Sequence, residues 1–108
     1  MKKIMLLLGT AMLAACAHTA PATDARVQVY RSDGSRQCET EGATSPQLMQ
    51  RVLENAGIRV YAARKDHLRG MAFPAVCGGA TGSVNVFTIA ADQAAWAQAQ
   101  GFALWHDE

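Results

Sequence analysis

The run SPQLMQRVLENAGIRVYA at residues 45–62 holds a complete helix signal followed by a strand signal. Ser45 has the short hydroxyl side chain that caps a helix start, and Pro46 has the fixed φ suited to the first helical position. Leu48, Met49, Val52, Leu53 and Ala56 recur at helical spacing and make one apolar stripe. Gly57 ends the helix, because it enters the left-handed region without a Cβ clash. Ile58 and Val60 then alternate with Arg59 and Tyr61, and alternation of period two predicts a strand over 58–62.

The pattern extends outward in both directions. Arg26-Val27-Gln28-Val29-Tyr30 alternates and predicts a first strand, closed by turn chemistry at 32–35. Residues 64–82 form a long Gly-rich connection that contains Pro74. Residues 83–89 (SVNVFTI) are rich in β-branched residues and predict a third strand. Residues 91–100 predict a second helix, with Asp92 in its first turn, Trp96 within it and Gly101 as its stop. Residues 102–105 predict a short last strand. The order β-α-β-β-α-β is the ferredoxin-like split pattern, an α+β fold whose antiparallel sheet carries both helices on one face.

Side-chain alternation then assigns the faces. Val27, Val29, Ile58, Val60, Val84, Val86, Phe102 and Leu104 are expected beneath the helices. Tyr30, Arg59, Tyr61, Phe87 and Trp105 are expected on the opposite face, with Gln28 and Asn85. An exposed cluster of aromatics and Arg marks a partner-binding surface. Such a face would also accommodate a second copy of the chain. The alternatives are a face covered by the C-terminal tail or the long connection, or one strand shifted by a residue, which reverses its side chains.

The first sixteen residues carry an address. Lys2 and Lys3 precede an apolar run over 4–15, which is too short to span a bilayer, where roughly 18–20 residues are needed. A positive start, an apolar core and small residues make a secretory signal peptide. The ending Leu13-Ala14-Ala15-Cys16 resembles the lipobox of bacterial lipoproteins. The resemblance implies cleavage before Cys16 and lipid on its thiol and new amino group. Ala17, rather than Asp, after the cysteine implies the outer membrane. The chain then divides into a signal peptide (1–15), a lipidated N-terminus and tether (16–24), and the α+β domain (25–108), facing the periplasm or the cell surface.

With Cys16 lipidated, Cys38 and Cys77 remain, and an oxidising envelope makes their disulfide the expected state. A metal or redox pair is the alternative, but there is no Cys-x-x-Cys and no His at short ligand spacing. The chain has 10 basic and 9 acidic residues, and loss of Lys2 and Lys3 leaves a charge of about −1. A near-neutral domain is not built to bind nucleic acid in bulk.

Arg64, Lys65 and Arg69 concentrate positive charge in the long connection, beside Gly78, Gly79 and Gly82. They are a candidate anion site. No catalytic motif, cofactor motif or paired metal ligand is visible, so no enzyme, cofactor or metal is expected. The expected function is non-catalytic: a lipid-anchored protein that binds an envelope protein or peptidoglycan component through the aromatic sheet face. The other reading is an inhibitor of an envelope or host hydrolase, a lysozyme or protease, acting through the 64–82 loop.

Overall fold

The computed structural model describes residues 25–39 and 41–106. The expected signal peptide, lipobox and tether lie outside the described residues. The elements are β1 (Arg26–Ser32), α1 (Pro46–Asn55), β2 (Ala62–His67), β3 (Ser83–Ala90), a 3-10 turn (Ala91–Gln93), α2 (Ala94–Ala99) and β4 (Ala103–Leu104). The chain is α+β, with one four-stranded sheet of order β2-β3-β1-β4 in which every pairing is antiparallel.

Local chemistry sets the ends of α1. The Ser45 hydroxyl accepts a hydrogen bond from the Leu48 N–H at 3.1 Å, and Pro46 opens the helix. At the other end Gly57 has φ 85°. Its N–H donates to the Glu54 carbonyl, and the Ile58 N–H donates to the Leu53 carbonyl. This paired closure satisfies two terminal carbonyls and brings Ile58 against Leu53 in the core.

Both helices cover the same side of the sheet. Met49 and Leu53 from α1 and Ala97 from α2 pack with Val29, Ile58, Phe87, Ile89 and Phe102 in one buried cluster. Phe87 and Phe102 meet edge to face, with ring centroids 5.8 Å apart. A smaller cluster on the opposite side joins Val84, Val86 and Trp105, with Tyr30 and Leu68 packed against it.

Two expectations are corrected here. The second strand is not 58–62 but Ala62–His67. Ile58 and Val60 do pack toward the core, but as the exit from α1. The strand itself, AARKDH, lies at a sheet edge where charged side chains suit solvent and hide the alternation. The third strand has the opposite phase to that expected. Val29 faces Phe87 and Val27 faces Ile89, so Phe87 and Ile89 lie under the helices while Val84 and Val86 lie on the far side. This strand is interior and apolar on both faces, so alternation alone could not fix its phase.

The segment after β1 and the segment before β3 are joined at one end of the sheet. Cys38 and Cys77 form a disulfide, with Cα atoms 5.0 Å apart. Arg36 bridges to both Glu39 and Ala80 beside it. Gly82 has φ 79°, and a Cβ there would come within 2.6 Å of the Phe73 ring. Its carbonyl accepts from the Leu68 N–H, which folds the long connection back toward the sheet.

Candidate functional site

The far side of the sheet is built around Trp105. β4 pairs with β1, and the Trp105 N–H donates to the Gln28 carbonyl, which carries the indole onto this side. Tyr30 meets it edge to face, with centroids 5.4 Å apart and planes at 76°. The Arg64 and Arg69 guanidiniums lie 5.8 and 5.7 Å from the indole centroid. Asp66 bonds both, at 3.1 Å to Arg64 and 3.0 Å to Arg69. The His67 N–H, followed by these two guanidiniums, holds the Asp66 carboxyl below the usual carboxylate range.

A groove of about 380 Å³ opens beside this cluster, lined by Tyr30, Leu68, Arg69, Gly70, Leu104, Trp105 and His106. It offers aromatic and aliphatic walls with one guanidinium on the rim. Trp105 is only 9% exposed and forms the floor, whereas Leu104, paired with Val29, turns its side chain to the helix side of β4. Each cation–π contact contributes about 0.5–1 kcal/mol at such an exposed position, so the cluster shapes a surface more than it stabilises the fold. An extended polypeptide or another flat apolar group would meet indole edge, leucine and guanidinium together.

The remaining expected site residues lie elsewhere. Phe87 is fully buried beneath the helices and is not on the open face. Tyr61 is 39% exposed at one end of the sheet, with the Arg26 guanidinium 3.7 Å from its ring centroid and Arg59 at 5.1 Å. Arg64, Lys65 and Arg69 do not converge on one anion position. Lys65 turns to the helix side, where its Nζ donates to the Asp33 carboxylate at 2.7 Å and to the Asn85 side-chain Oδ1 at 3.2 Å. The Gly78 and Gly79 N–H groups donate to the Gln37 and Val76 carbonyls.

The Asp33 cluster was not visible in the sequence as a constellation. Its carboxylate is 2% exposed and accepts from Lys65, from the Ser83 hydroxyl at 2.6 Å and from the Ser35 N–H at 2.8 Å. Burial alone would raise its pKa, but hydrogen bonds from Lys65, Ser83 and Ser35 outweigh that and hold it well below the usual range. Asn85, also buried, donates to the Thr44 carbonyl at 2.8 Å. The network ties the end of β1 and the start of β3 to β2 and the segment before α1. Its only sequence signal was turn chemistry at 32–35.

Among the described residues no group of His, Cys, Asp and Glu could hold a metal ion. Among the same residues no helix is long and apolar enough to cross a membrane. No family model, curated protein or solved structure matches the chain.

Proposed function

We propose that this chain is a lipid-anchored protein of the bacterial outer membrane whose domain binds another envelope protein, without catalysis, through the open face of its sheet. The observation that carries this reading is the groove floored by Trp105 and rimmed by Tyr30, Leu68 and Arg69. Aromatic, arginine and leucine side chains around a shaped recess are the composition of a partner anchor site. The lipobox at Leu13-Ala14-Ala15-Cys16 supports the address, and the Cys38–Cys77 bridge accords with an oxidising compartment. The strand order, antiparallel throughout, and the packing of both helices on one core support the ferredoxin-like form of the fold.

A second reading has its own observation. Met71 and Val76 are 59% and 56% exposed on the connection before Cys77, which the disulfide fixes to the 36–39 turn. A tied loop with protruding apolar side chains suits an inhibitor that enters a hydrolase cleft.

Photo-crosslinking in intact envelopes separates the two. A crosslinking side chain replacing Ala103, which pairs with Tyr30 and shares its face, is expected to capture a partner, and the same group replacing Val76 is not. Capture from Val76 alone, with a hydrolase as the product, contradicts the sheet-face reading. A dimer of the chain captured from Ala103 makes the partner a second copy.

A further inference from the structure

We propose that the end of the domain at which β1 begins is a bilayer-docking surface, seated on the zwitterionic headgroup region of the membrane that holds the anchor. The proposal rests on the lipoprotein reading of Cys16. The antiparallel order brings the start of β1, the start of β2, the end of β3, the end of α1 and the start of α2 to this one end. Two exposed aromatic rings stand there. Trp96 is 49% exposed, and its indole N–H donates to the Ala56 carbonyl at 2.6 Å, so its polar atom is satisfied while the ring stays outside. Tyr61 is the other, flanked by Arg26 and Arg59.

Trp and Tyr sit best at the membrane–water interface, and Arg beside them can reach headgroup phosphates while its stem covers apolar surface. Among the described residues no carboxylate lies at ion-pair distance from Arg26 or Arg59. Glu54 and Asp92 are exposed at the same end, so the surface is balanced in charge and suits a zwitterionic headgroup. Chain length adds an independent argument. The nine residue steps from Cys16 to Ala25 span at most roughly 30 Å, so the fold begins close to its anchor. The exposed Met71 and Val76 belong to the connection tied at Cys77, at the opposite end, and remain free for other contacts.

The test uses protein extracted from membranes and reconstituted in phosphatidylcholine–phosphatidylethanolamine vesicles, with plain or brominated acyl chains. Intact mass of the same sample reads the lipid on Cys16 separately. The expected result is a loss of tryptophan emission in brominated vesicles that survives added salt and disappears in Trp96→Phe, which keeps Trp105. Equal emission from lipidated protein in both vesicle types overturns the proposal while the anchor reading stands. Quenching retained in Trp96→Phe also overturns it, because Trp105 would then face the bilayer. A Trp96 emission shift in detergent that grows with protein concentration overturns it in favour of a second copy. A mass without lipid removes the anchor reading, and the proposal falls with it.

Discussion

The two faces of the sheet are both buried, but by different means. On one side α1 and α2 press Met49, Leu53 and Ala97 onto Val29, Phe87 and Ile89. On the other, among the described residues, Val84 and Val86 are covered by side chains of the sheet, its connection and the C-terminal segment, chiefly Trp105, Tyr30 and Leu68. The helix side is a closed aliphatic and aromatic core. The open side is a thin cover that ends in a groove. A face sealed by helices has no surface left to offer, whereas a face sealed by single side chains keeps part of each exposed. The difference separates the part of the molecule that holds the fold from the part proposed to bind a partner.

The comparison breaks first under large-to-small changes. Phe87→Ala is expected to cost about 3–5 kcal/mol, a large share of what a small domain has, and to move its unfolding midpoint to much lower denaturant. Trp105→Ala, on the open side, is expected to cost clearly less, because its loss opens the groove to water instead of leaving an enclosed cavity. Denaturant unfolding of the two variants decides the order. Equal losses would mean that the open side is as much a core as the helix side.

Next in size is the disulfide. Its sequence separation of 39 gives a loop whose closure is worth about 4 kcal/mol on the chain-entropy account. Reduction should lower the melting temperature sharply, and the Cys38→Ala, Cys77→Ala pair should reproduce the drop without reductant. A melting curve indifferent to reductant would place the stability of the 36–39 and 77–80 segments elsewhere.

The Asp33 cluster sharpens the same contrast through pH. Because the folded carboxyl is held below its ordinary value, its contribution is fully present above the unfolded pKa of about 3.9 and fades as pH falls below that. Asp33→Asn is expected to lower stability at neutral pH by about 1.5–3 kcal/mol. It should also flatten the acid limb of the stability curve. An acid limb unchanged by the substitution would assign acid sensitivity to another carboxylate.

How much of this was legible follows from which residues act locally. Ser45, Pro46 and Gly57 mark α1 because caps and stops are contacts within a few residues. The cysteine pairing was legible because two thiols remain once Cys16 is set aside. Phe87 was placed on the wrong face because Val84, Val86, Phe87 and Ile89 satisfy both phases of an interior strand. Only the partners of Asn85, Lys65 and Thr44, break the tie, and they come from other elements. The strand at Ala62–His67 was hidden by its edge position. Tyr30 and Trp105 were correctly paired on one face, but the arginines that flank the indole depend on where β2 begins.

The smallest expected effect on stability belongs to the most direct test of the binding face. Ala103→Asp, on the strand residue paired with Tyr30, combined with Arg69→Ala changes exposed side chains and should move stability by no more than about 1 kcal/mol. The measurement is the melting temperature of this double variant beside its capture yield in intact envelopes. The expected result is a nearly unchanged melting temperature with capture largely lost. Capture equal to that of the parent chain, in a protein that is still folded, would contradict the open sheet face as the site of binding.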